Sequence, residues 1–106
     1  AYPEKSSNWT NRFQMFATEN MWTFILLDSY NGRLWQVQYS TQDLDNLFCI
    51  PINKNELVEN NERGIFSIQP LTSMYQYYLI NDNTGDMWKF QWSTKGDDYR
   101  WIERFR

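Results

Sequence analysis

The stretch WTFILLDSYNGRLWQVQYST (residues 22–41) returns, altered but in register, as YQYYLINDNTGDMWKFQWST (residues 75–94). A shift of 53 positions carries one onto the other, and the same shift lays Phe13–Thr41 over Phe66–Thr94 without a gap. Phe13/Phe66, Met21/Met74, Leu26/Leu79, Gly32/Gly85, Trp35/Trp88, Gln38/Gln91, Ser40/Ser93 and Thr41/Thr94 are identical pairs. Trp22/Tyr75, Phe24/Tyr77, Val37/Phe90 and Tyr39/Trp92 keep their character. Two unrelated hairpins would not hold register across the loop between their strands, so the chain is a tandem duplication.

Each copy reads as strands. Phe13, Met15 and Ala17 alternate with polar or outward positions, as do Phe66, Ile68 and Pro70. Trp22–Asp28 and Tyr75–Asn81 follow, each ending in a turn with Asn31-Gly32 or Thr84-Gly85, where glycine supplies the positive φ of a hairpin loop. The returning strands, Leu34–Ser40 and Met87–Ser93, alternate cleanly. Trp35, Val37 and Tyr39 face one way and Gln36 and Gln38 the other; Trp88, Phe90 and Trp92 match the first set, Lys89 and Gln91 the second. Fourth strands are expected at Leu47–Ile52 and Arg100–Phe105, and Asn53–Gly64 reads as a charged linker.

The fold class is therefore all-β: two tandem four-stranded antiparallel units in a single domain, residues 1–106. The repeats run over about 12–53 and 65–106, after a loop-like segment, 1–11. One unit cannot cover both of its faces, so the copies are expected to share a core as a pseudo-two-fold barrel or sandwich, with Trp35 and Trp88 as equivalent core anchors. The alternative is a pair of blade-like units that close only by oligomerising.

The first hairpin resembles that of small, functionally unassigned bacterial two-repeat β proteins, whose pattern runs W-x-F-x-x-L-D-x-x-x-G-R-x-W-Q-V-Q. Trp22, Phe24, Leu27, Asp28, Gly32, Arg33 and Trp35-Gln36-Val37-Gln38 carry it; the second copy departs at Tyr75, Asn81, Asp86 and Lys89. The resemblance implies the two-repeat fold and transfers no activity. In the first copy, Asp28 and Arg33 are expected to form a clasp across the hairpin that the second copy lacks.

The 106 residues are 19% aromatic, with a net charge of −3 and a mean hydropathy of −0.74. Nucleic acids and anionic membranes are usually met by clustered Lys and Arg, so neither is the expected partner. Apolar runs such as Phe24–Leu27 are too short to span a membrane. The polar start at Ala1 is what either removal of a leader or trimming of the chain would leave, and the expectation leans towards a secreted or periplasmic protein.

The chain has no histidine, so His-based triads and zinc sites are excluded. Cys49, in the apolar run Leu47–Ile50, is expected to be a buried, inert thiol. Asp43/Asp45 and Asp97/Asp98 are the remaining acid pairs, read as solvated loop carboxylates; Asp43-x-Asp45 starts like a calcium loop but continues with Leu47 and Phe48. No catalytic residue, metal or cofactor is expected.

What remains is binding. Gln36, Gln38, Lys89 and Gln91 form matched polar stripes, suited to a partner or to contact between sheets. Trp9, Tyr30, Tyr75, Tyr78, Tyr99 and Trp101 exceed what a small core holds, and Glu56, Glu59 and Glu62 make the linker acidic. The expected function is a non-enzymatic protein-binding module, such as a small inhibitor or immunity-type protein, with oligomerisation open to it. The alternative is a lectin-like carbohydrate-binding module stacking Trp and Tyr on sugar rings, which should use equivalent positions in both copies.

Overall fold

The structure is a computed structural model that describes residues 11–39, 47–59 and 62–106. Asp43, Asp45 and Trp9 lie outside the described residues. Sheet 1 contains β1 (Phe13–Ala17), β2 (Thr23–Asp28), β3 (Leu34–Gln38) and β4 (Phe48–Asn53). Sheet 2 contains β5 (Phe66–Pro70), β6 (Gln76–Asn81), β7 (Met87–Gln91) and β8 (Trp101–Arg104). Each sheet is an antiparallel meander in chain order, and neither closes into a barrel. The all-β, two-unit reading holds, with β4 and β8 displaced by a residue or two from their expected bounds.

The duplication is visible in the pairing: Leu26 faces Trp35 in sheet 1, and Leu79 faces Trp88 in sheet 2. The hairpin turns repeat as well. The Asp28 carbonyl accepts from Gly32 N at 2.9 Å and the Asn81 carbonyl from Gly85 N at 2.7 Å. Gly32 and Gly85 hold φ of 82° and 78°, a region that favours glycine.

The core is shared, but the copies do not contribute the same face. Sheet 1 turns Ile25, Leu27 and Leu34 inward, with Phe16 packed against them. Sheet 2 turns Phe66, Tyr77, Leu79, Trp88, Phe90 and Trp92 inward. Under the repeat register those six correspond to Phe13, Phe24, Leu26, Trp35, Val37 and Tyr39, which lie on the outward side of sheet 1. Trp88 is a core anchor at 6% exposure, whereas Trp35 is only half-buried and is not its equivalent. A two-fold between the repeats would bury one face twice; here the front of one sheet meets the back of the other.

Gln36 explains part of this choice. It is fully buried and reaches into sheet 2, where its Nε2 donates to the Ser93 carbonyl at 2.9 Å and its Oε1 accepts from Ser93 N at 3.1 Å. A buried amide left without partners is costly, so this pair ties β3 to the end of β7. Of the two roles the sequence leaves to this glutamine, contact between sheets is the one observed.

At the opposite end the linker is part of the packing. Leu57 N donates to the Asn31 carbonyl and Gly64 N to the Tyr30 carbonyl, both at 2.7 Å, while Leu57 and Val58 pack on the core. A Cβ on Gly64 would sit 2.3 Å from the Phe66 ring, so glycine is required there by close approach.

Trp88→Ala should cost about 3–5 kcal/mol of stability, as for other buried aromatics. Gln36→Ala should cost about 1–3 kcal/mol by stranding the Ser93 N–H, the Ser93 carbonyl keeping its bond from Arg100. Lys89→Ala, at the equivalent position, should stay within about 0.5 kcal/mol. Urea titrations in dilute solution check all three, and equal losses for Gln36→Ala and Lys89→Ala would contradict the role given to the Gln36–Ser93 contact.

Candidate functional site

Front-to-back stacking leaves one face of each sheet facing out. On sheet 1, cross-strand pairing aligns Met15 with Leu26, Leu26 with Trp35, and Trp35 with Pro51. Phe24, Val37 and Cys49 form the next row. Phe13 and Met15 are each 56% exposed, and Leu26, Trp35 and Val37 are half-buried. Phe24 stacks on Tyr39 with ring centroids 5.8 Å apart, and Trp22 meets Tyr39 edge-on at 5.3 Å. Two guanidinium groups border the patch, Arg12 at 5.1 Å from the Phe13 ring centroid and Arg33 at 5.4 Å from that of Trp35.

The outward face of sheet 2 is mixed. Tyr78 pairs with Lys89, Lys89 with Glu103, and Gln91 with Trp101. Tyr78 also packs on Phe105, with centroids 5.6 Å apart. Gln76 Nε2 donates to Gln91 Oε1 and Gln91 Nε2 donates to the Tyr99 carbonyl, both at 2.9 Å, so these amides are engaged within the sheet.

Of the residues expected to bind, Tyr78, Lys89, Gln91 and Trp101 are thus gathered on one surface. Tyr75 and Tyr99 sit at its end, lining with Gln91 a cavity of about 190 Å³. Gln38 accepts from Thr23 Oγ1 at 2.9 Å and borders a cleft of about 460 Å³ between the sheets, walled also by Trp22, Tyr39, Lys95 and the largely buried Arg100. Gln36 is committed to the core and is closed to an outside partner.

Tyr30 and the linker acids collect at the other end. The guanidinium carbons of Arg63 and Arg12 lie 4.0 and 4.9 Å from the Tyr30 ring centroid, and Glu56 and Glu62 line the same cavity of about 170 Å³. Glu59 lines the neighbouring cavity with Arg63 and Arg104. The linker's acidity is therefore opposed locally by arginines.

The expected Asp28–Arg33 clasp is replaced by a different pair. Buried Asp28 receives two hydrogen bonds from Arg12 at 3.0 Å, one from Nε and one from Nη2, while Arg33 is turned over Trp35. Cys49 is exposed rather than buried, because it shares the outward row of Val37. Partial burial raises its thiol pKa, the direction opposite to activation. Asp97 and Asp98 are exposed, Asp97 pairing with Arg100, and among the described residues no three His, Cys, Asp or Glu side chains are grouped to hold a metal.

Sequence reasoning missed the outward face of sheet 1, having assigned Trp35 and Val37 to the core. The signal was present in β2, where Phe24 and Leu26 face one way while Ile25 and Leu27 face the other, so both sides are apolar. No protein-family model, curated protein or solved structure matches this chain.

Hydrogen bonding from Thr84 Oγ1, followed by Arg104, holds the Asp86 carboxyl below the ordinary carboxylate range. Stability from this group is present above its unfolded pKa and is lost as pH falls through the lower, folded value. Thr84→Ala and Arg104→Ala should each move the Asp86 titration upward in a carbon-detected NMR experiment; an unchanged midpoint in both would show that these contacts do not set it.

Proposed function

We propose that this protein works by binding another polypeptide, without catalysing a reaction, through the outward face of sheet 1. The observation that carries this reading is the contiguous apolar surface from Phe13 and Met15 across Leu26 and Trp35 to Cys49 and Pro51. Single exposed apolar residues are ordinary, but a sheet face of Phe, Met, Leu, Trp and Val is the composition of an interface core. Its flanking arginines are of the type that recurs in binding hot spots. A small inhibitor or immunity-type protein is a form of this reading that a 106-residue chain of net charge −3 fits.

The arrangement counts against the lectin alternative in its two-site form. Equivalent positions are not equivalently presented: Trp35 is outward but Trp88 is buried, and Lys89 is outward but Gln36 is buried. A sugar site on one sheet face would therefore have no counterpart on the other.

A photoreactive p-benzoylphenylalanine in place of Met15 tests the proposal. Irradiation in extracts of the source cells should yield polypeptide adducts that excess unlabelled protein competes away and that Phe13→Glu abolishes. Absence of competed adducts, together with reproducible binding on a glycan array, would overturn the reading in favour of a carbohydrate ligand.

A further inference from the structure

The repeat register and the burial pattern together specify what fits each outward face. Outward positions of sheet 1 correspond to inward positions of sheet 2: Phe13 to Phe66, Leu26 to Leu79, Val37 to Phe90. Phe66, Leu79 and Phe90 are all buried against sheet 1 in the shared core. The converse also holds. Outward Tyr78, Ile80 and Met87 of sheet 2 correspond to Ile25, Leu27 and Leu34, each fully buried on the inward face of sheet 1.

We infer that the outward face of sheet 1 docks the outward face of sheet 2 of a second copy of this chain, repeating between molecules the packing made within one. The inference rests on the polypeptide-binding reading and names the partner. The apolar positions support it from both sides, since each outward residue named has an equivalent already buried in the same kind of contact. Lys89 and Glu103 lie opposite one another on β7 and β8, so the charges on the sheet 2 face are of opposite sign and can pair with each other where that face is covered.

Such a contact is head-to-tail, using different surfaces on the two molecules, so it propagates until it closes. Successive four-stranded sheets stacked front to back around an axis form a propeller, and propellers close with about 4–8 sheets. With two sheets per chain the closed ring holds two to four copies.

Native mass spectrometry and light scattering across a concentration series should find a discrete species of two to four times the 13.0-kDa chain, with no longer series. Phe13→Glu alters the sheet 1 face at an exposed site, and Ile80→Glu the sheet 2 face. Each variant alone should be monomeric, with circular dichroism reporting the native fold. Met87→Glu replaces Ile80→Glu should the latter fail to fold. Mixed, the two variants should form a one-to-one dimer, because each retains the face that the other has lost. Cys49 supplies a second readout: it is equivalent to Ile102, which packs on the core, so its labelling by a soluble thiol reagent should slow as wild-type protein assembles and stay fast in Phe13→Glu.

A wild-type chain that stays monomeric at high concentration overturns the inference. If Met15 cross-links at the same time to a different polypeptide, the binding proposal survives alone. Assembly broken by Phe13→Glu but untouched by both sheet 2 variants, with no pairing in the mixture, would show a two-fold dimer through sheet 1 and would also overturn it.

Discussion

The amide of Gln36 sets a condition that the layered core has to meet. It stands in the middle of β3, flanked in register by Ile25 and Ile50, with no exposure to solvent. An amide in that position needs both a donor and an acceptor from the facing sheet, and the Ser93 backbone provides both. The Ser93 carbonyl uses its second lone pair for Arg100 Nη1 at 2.9 Å, and Ser93 Oγ accepts from Lys95 N at the same distance. The end of β7 is thus held at one offset from β3. The equivalent residue in the second copy is Lys89, which can donate to a carbonyl but cannot accept from an amide, and which carries a charge that is costly to bury. The two copies are therefore not interchangeable in this contact: facing Ser93, only the sheet 1 residue supplies both the donor and the acceptor.

The linker supplies the complementary restraint at the turn end. Besides the bonds from Leu57 and Gly64, Phe66 N donates to the Ser29 carbonyl at 3.0 Å and Asp82 N to the Ile65 carbonyl at 2.7 Å. The first hairpin, the linker and the second hairpin are in this way laced together through backbone groups. Gly32 and Gly64 leave the space that Leu57 and Phe66 fill. Stacking is held by an amide clasp at one end and a backbone lace at the other, with the apolar cluster between.

Strand order, hairpin turns and the duplication were legible because they depend on local chemistry: alternation of period two, glycine at the turn, and a repeat without gaps. Asp28 and Asn81 show how local this is. Despite different charge, each accepts from the backbone N–H two residues on, Tyr30 and Asn83, at 3.1 Å. Facing was not legible. Alternation says which residues share a side, and in β2 and β6 both sides are apolar, so nothing local says which is covered. Gln36 reads as a surface residue because its partner lies in the other repeat. The candidate site suffered for the same reason. Lys89 and Gln91 read as outward because their stripe is polar, and Tyr78 and Trp101 as aromatics beyond what a small core holds, while Trp35 resembles core. Arg12, the partner of Asp28, has Ile65 as its equivalent and lies outside the hairpin pattern that drew attention to Arg33.

A stack of sheets that meet front to back always leaves one front and one back uncovered, and the two ends of this chain are not equally suited to water. On sheet 2, the inward pair Gln36 and Ile50 of the first copy is replaced by Lys89 and Glu103, charges that hydrate well and offset one another. On sheet 1, the outward positions Phe13, Met15, Phe24, Leu26, Trp35, Val37, Cys49 and Pro51 are uncharged, and Asp28, Arg12 and Arg33 place charge only at the border of that face. Full burial of a single large apolar side chain is worth about 1.5–3 kcal/mol. Several partly exposed side chains of that kind on one face forgo an amount comparable with the net stability of a small domain. Folding alone cannot recover it, because the inward side of sheet 1 is already occupied by sheet 2. The asymmetry between the faces, with a charge pair in the middle of one and charges only at the border of the other, supports the proposed polypeptide cover on sheet 1.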